Sequence, residues 1–149
     1  MIPAPHTYAE WAAIIDRLRD KTDDNDVLEA MQKGTIEWQS GVAERFSEKL
    51  IDAVNHRMNA ATDKFQKDIQ RAYGNETFIV QALIALRKEM RFLYKVLDIR
   101  AIPESERQHY TALVSGQADA MQTSLEDSAK TDRTGRLLSI IRNNRVNSL

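Results

Sequence analysis

The sequence predicts an all-α protein: an antiparallel helical bundle built on a long helical hairpin, with a third long helix and short terminal helices. Three observations carry this. Residues 35–73 contain no proline and keep an apolar stripe nearly throughout. Gly74 and Asn75 interrupt it, and a second helical pattern follows at once, to about residue 99. Two long helices joined by so short a turn must fold back on each other. No stretch shows sustained period-2 alternation rich in β-branched residues.

The elements follow in order. Thr7-Tyr8-Ala9-Glu10 has the form of a capping box and opens a helix ending near Lys21, with Tyr8, Trp11, Ile15 and Leu18 on one face. Asp23, Asp24, Asn25 and Asp26 form a polar break. They have the composition of a calcium loop but lack its glycine and its spaced final glutamate, so they read as acids at the positive end of the next helix. That helix runs from about Asp26 to Lys33, with Gly34 in the C-cap role.

The long helix, residues 35–73, carries Val42, Phe46, Leu50, Val54, Met58, Ala61, Phe65, Ile69 and Ala72. These cover thirty residues in eight steps, a mean period of 3.75, longer than the 3.5 of a left-handed coiled coil. If continuous through Gly41 the helix is about 58 Å long. That exceeds its neighbours, and an overhang calls for a cover, most cheaply by self-association. In the hairpin partner, residues 76–99, the run Phe78 to Leu86 is apolar nearly all round, which predicts a central position covered on several sides. Gln81, its one polar residue, is either buried and hydrogen-bonded or exposed near the turn. Pro103 and Ser105 open the third long helix, 104–129, with Tyr110, Val114, Ala118, Met121 and Leu125 as a narrow stripe. A break over Thr131 to Gly135 precedes a last short helix, about Arg136 to Asn144.

Composition bounds the function. A chain of 149 residues, 42% apolar and 29% charged, suits one globular domain, and no internal repeat is present. With no cysteine there is no disulfide, thiolate metal site or cysteine nucleophile. The first seven residues show no basic region followed by an apolar run, so no signal peptide is expected. The longest apolar run is too short to span a bilayer, and a cytoplasmic protein is the simple expectation. No Gly-x-Ser-x-Gly turn and no glycine-rich phosphate loop is present, and no cofactor motif stands out. Asp52 and His56, four apart on one helix, with His109 elsewhere, lack the Glu-x-x-His pairing of bundle metal sites; Asp52 and His56 read as a surface ion pair. Glu44, Glu48 and Asp52 form an acidic row interleaved with Arg45 and Lys49, the mark of a solvated face.

Charge is unevenly shared. Residues 101–129 carry five acids against one base, whereas residues 130–149 carry Lys130, Arg133, Arg136, Arg142 and Arg145 against Asp132 alone. In the final helix Leu137, Leu138, Ile140 and Ile141 fill one arc, flanked by the arginines. An apolar arc with basic edges can lie in a hydrophobic groove of an acidic partner. The partner-binding candidates are therefore Arg133, Arg136, Leu137, Leu138, Ile141, Arg142 and Arg145. Trp38, beside the weak point at Gly41, is a further hot-spot candidate. The plain alternative is that the aliphatics close this protein's own bundle and the arginines are solvated. The expected function is a non-enzymatic interaction or regulatory protein that binds a protein partner and self-associates. The second reading is a nucleic-acid-binding regulator using the basic tail, with weak support in a chain of net charge −1.

Overall fold

The computed structural model describes residues 1–37, 41–72 and 74–148. Among them are six helices and no strand: α1 Tyr8–Arg19, α2 Asp24–Lys33, α3 Val42–Ala72, α4 Glu76–Leu97, α5 Glu104–Ala129 and α6 Arg136–Asn143. The expected helical bundle is present. No described helix is long and apolar enough to cross a membrane. The chain forms two compact units, Met1–Asn59 with Leu93–Thr111, and Ala60–Phe92 with Ala112–Leu149.

The first unit begins with the capping box that the sequence announced. Thr7 Oγ1 accepts from the Glu10 N–H at 3.2 Å, and Glu10 Oε1 accepts from the Thr7 N–H at 3.2 Å. The Thr7 hydroxyl also donates to Glu10 Oε1 at 3.0 Å, and this bond, then that from the Thr7 N–H, holds the Glu10 carboxyl below its ordinary pKa. Trp11 is fully buried, edge-on to Phe46 with ring centroids 5.3 Å apart. Its indole N–H donates to the Thr35 carbonyl at 2.8 Å, so the polar tip of the ring is satisfied inside the core.

Gly34 is the C-cap of α2, as expected, and its N–H donates to the Met31 carbonyl at 3.3 Å. Its backbone is extended, with φ −72°, a conformation open to any residue. What requires glycine is space: a Cβ there would lie 2.6 Å from Trp11 Cζ2 and 2.9 Å from Pro5 Cγ.

The acidic break between α1 and α2 also has another purpose. Asp23, at the α2 N-cap, makes no side-chain cap bond. Asp24, the first residue of α2, instead receives a two-pronged bond from Arg57 of α3, Nη1 to Oδ1 at 2.8 Å and Nη2 to Oδ2 at 2.9 Å. Arg57 Nη1 also donates to the Leu18 carbonyl near the end of α1 at 3.1 Å. The Arg57 side chain is only 2% exposed. One guanidinium thus joins α1, α2 and α3. The turn it encloses contains two non-glycine residues in left-handed conformation, Lys21 at φ 56° and Asp23 at φ 55°, each an uphill choice for an L-residue. Elsewhere in this unit the Tyr110 hydroxyl of α5 hydrogen-bonds Ser47 of α3. Burial pushes the Tyr110 phenol pKa up.

α3 is shorter than expected. Residues 35–37 are not helical, and Gly41 takes φ +86° immediately before Val42. A left-handed residue cannot continue a right-handed helix, so α3 has 31 residues, roughly 46 Å, instead of the 39 read from the sequence. The overhang inferred from that longer helix shrinks accordingly. Six of the nine stripe residues, Phe46, Leu50, Val54, Met58, Phe65 and Ala72, are buried, and Val42, Ala61 and Ile69 are half-buried.

In the second unit the hairpin turn is the expected one. Gly74 takes φ +81°, and Asn75 Oδ1 accepts from the Phe78 N–H at 3.1 Å, capping α4. The interior is formed by Phe65, Ile79, Leu83, Leu86, Met90, Val114, Ala118 and Leu125, together with Ile141 and Val146. The expectation that residues 78–86 are covered on several sides is corrected. Phe78 is 41% exposed and Ile84 53% exposed, and Gln81 and Ala85 are exposed with them. Ile79, Ala82, Leu83 and Leu86 occupy the inward arc, and the remaining apolar side chains of the run face out.

Two outcomes are expected in urea unfolding. Asp24→Ala strands a buried guanidinium and costs roughly 3 kcal/mol, the lower end for a broken buried pair because Asp24 keeps partial solvent access. Gly34→Ala costs about 1–3 kcal/mol by driving a methyl group into the Trp11 ring. An unchanged midpoint for either variant refutes the corresponding contact.

Candidate interaction surface of the C-terminal segment

The candidate segment starts with a built turn. Asp132 Oδ2 accepts from the Leu137 N–H at 3.1 Å, and Oδ1 accepts from the Thr134 N–H at 3.2 Å. The Thr134 hydroxyl donates to the same carboxylate, at 2.9 Å to Oδ2. Gly135 sits at φ 72° and gives α6 no side-chain cap, so Asp132 supplies the capping acceptor from outside the helix. The bond from the Leu137 N–H, then those from Thr134, hold the Asp132 carboxyl below the ordinary aspartate pKa.

Within α6 the apolar arc faces its own unit. Ile141 is buried, and Leu137, Leu138 and Ile140 are half-buried. Beyond the helix Val146 is fully buried. Gln122 of α5, only 4% exposed, fastens this stretch twice: its amide donates to the Ile141 carbonyl at 3.2 Å and accepts from the Val146 N–H at 3.0 Å. Asn147 donates to Ser115 Oγ and to Asp119 Oδ1, both at 2.9 Å. Backbone groups released where the helix ends are thereby satisfied away from water.

Sequence reasoning missed Gln122, Val146 and Asn147. Val146 is a single apolar residue in a polar tail, with no periodic neighbours to mark it. Gln122 lies next to the apolar stripe of its helix, and nothing local distinguishes a buried amide from a solvated one. Asp132 was part of a break; its spacing to Thr134 was the available sign of a side-chain-closed turn.

The arginines remain outside. Arg136 pairs with Glu76 at 3.1 Å, which sets the start of α6 at the N-terminal end of α4. Arg142 Nε pairs with Glu126 at 2.8 Å. Arg133 and Arg145 are exposed and have no ion-pair partner among the described residues. Trp38 lies outside the described residues. The segment therefore presents charge to solvent and not its aliphatic arc.

Two of the exposed large apolar side chains of this unit, Phe78 and Ile84, are on α4, and a third, Leu113, is on α5. At 100° per residue, Phe78, Gln81, Ile84 and Ala85 share an arc of about 120°, and all four are exposed. No group of three or more metal-ligating side chains occurs among the described residues, and Asp52, His56 and His109 are each exposed. No family model, curated protein or solved structure matches the chain.

Two further outcomes follow. Asp132 has a folded pKa below its unfolded value, so its contribution is complete above the ordinary aspartate pKa of about 4 and is lost as pH falls through the lower folded value. Protection of the Thr134 and Leu137 amides, relative to their intrinsic exchange rates, is expected to fall as pH drops across that acid range, and in Asp132→Ala to be low already at neutral pH; equal protection in both proteins contradicts the capping role. A chain ending at Ala129 uncovers Ala118, Gln122 and Leu125, and its thermal midpoint is expected to drop by several degrees or more. An unshifted midpoint shows that the tail is not part of this unit's core.

Proposed function

We propose that the chain is a non-enzymatic helical interaction protein of the cytoplasm that docks a protein partner and self-associates. The observation that carries this reading is the outward apolar face of α4, with Phe78 41% and Ile84 53% exposed. Two large apolar side chains on one helical arc, held in water by a regular helix, gain by being covered. Complete burial of a side chain of this kind yields roughly 1.5–3 kcal/mol. The arginines of the C-terminal segment supply a polar, basic edge in the same unit, suited to an acidic counterpart. The aliphatic residues Leu137, Leu138 and Ile141 are turned into the unit, and Arg133 and Arg145 have no ion-pair partner among the described residues.

The second reading, a nucleic-acid-binding regulator, rests on those same two arginines. It requires phosphate contacts numerous enough to hold at physiological salt, and affinity that falls steeply as salt rises.

Sedimentation velocity over a hundredfold range of concentration tests the first reading. The expected result is a mass that rises above 17.1 kDa, with Ile84→Glu restoring the monomer. Exposed positions such as Ile84 tolerate substitution with little effect on folding. A monomer at every concentration overturns self-association through α4. Salt-sensitive retention on heparin that is lost in Arg133→Ala with Arg145→Ala, in a protein that stays monomeric, moves the second reading to first place.

A further inference from the structure

The charge least accounted for in the second unit is Arg87 of α4. Its side chain is half-buried, and its Nε is shielded from solvent with no hydrogen-bond partner among the described residues. Buried polar groups are normally paired, and an unpaired one on a cation is especially unfavourable. Something outside the described chain is expected to answer it.

Arg87 lines a cleft of about 540 Å³ together with Arg142 and Arg145. The only acid in the lining is Asp119, and that carboxylate already accepts from Asn147 at 2.9 Å. Arg142 commits Nε to Glu126 at 2.8 Å, which leaves the terminal nitrogens of its fork for another acceptor. Arg145 has no ion pair among the described residues. Ser115 receives the Asn147 amide at 2.9 Å, so its own hydroxyl proton is still to be placed. Three guanidinium groups thus stand against two occupied carboxylates, Asp119 in the lining and Glu126 on Arg142, in a cleft of small-molecule size whose lining is mostly polar.

From this we infer that the cleft binds a small phosphorylated ligand, with the phosphate group held by Arg87 and Arg145 and flanked by Arg142 and Ser115. The positive charge left over after Asp119 and Glu126 favours an anionic head. Phosphate oxygens in a tetrahedral array suit several converging planar forks, where a single carboxylate would leave donors unmatched. Arg87 lines the cleft, and the terminal nitrogens of its fork are the donors it can offer a compact group that enters there. This inference goes beyond docking through α4 and turns on Arg87, which that reading does not use.

Titration calorimetry of the full chain with inorganic pyrophosphate at low salt, paired with spectra of the arginine Nε–H groups, decides it. Binding is expected to shift the Arg87 Nε–H resonance and to raise the thermal midpoint as a ligand of the folded state does. Arg87→Met keeps the apolar stem and removes the fork; affinity should fall roughly tenfold or more. Arg145→Ala changes an exposed side chain and should give the same loss, which keeps the test open if Arg87→Met fails to fold. Absence of heat together with an unmoved Arg87 resonance at millimolar pyrophosphate would falsify the assignment. Undiminished binding by a folded Arg87→Met also overturns it. A single-stranded oligonucleotide that binds far more tightly than pyrophosphate, and is indifferent to Arg87→Met, assigns the arginines to a nucleic-acid backbone instead.

Discussion

A buried guanidinium must be answered on several sides at once, and that requirement organises the first unit. Arg57 leaves water to sit among α1, α2 and α3, and the desolvation is tolerable only because Asp24 meets both prongs of its fork and the Leu18 carbonyl takes a further bond. The geometry leaves little choice to the chain between Leu18 and Asp24. It closes through Lys21 and Asp23 in left-handed backbone, a conformation neither residue favours by itself. Local preference yields there to a tertiary bond. The same unit shows a second constraint of exclusion: Gly34 lets the Trp11 ring lie against the backbone, with the indole N–H delivered to Thr35.

The second unit is held by a neutral counterpart of the same device. Gln122 points inward from a long helix and serves both a carbonyl and an N–H of a segment about twenty residues downstream. A buried amide can do this because it carries a donor and an acceptor on one planar group. Asp132 anchors the other end of that segment. Between these two points the aliphatic arc of α6 is turned toward its own unit, with Ile141 buried and Leu137, Leu138 and Ile140 half-buried. An amphipathic terminal helix with basic flanks is thus consistent with two destinations, and the anchors at its ends favour the internal one.

Charge distribution links both functional readings. Arg136 and Arg142 are paired with Glu76 and Glu126, and such exposed pairs contribute little stability. Their consequence is placement. They orient α6 so that Arg145 and the free part of the Arg142 fork border the same cleft as Arg87. Docking through α4 and anion binding in the cleft draw on different surfaces of one unit and need not exclude each other.

Much of the architecture was legible in the order of residues. The capping box at Thr7 and Glu10, the α3 stripe and the turn at Gly74 and Asn75 all depend on neighbours within a few positions, and all three are present. The break at Gly41 was visible as a glycine, but its sign of φ was not, since glycine takes either hand. The candidate site was legible only as composition: basic residues and aliphatics were found, but not which of them face inward. Arg57, Gln122 and Arg87 look like any polar residue on a helix. The burial of the first two depends on partners 33 and 19 residues away, and Arg87 Nε is buried with no partner among the described residues. Local sequence determined where helices start, turn and stop, because capping and periodicity are short-range. The tertiary structure decided which polar groups leave water and which apolar ones stay in it, because only assembly brings their distant partners within bonding distance.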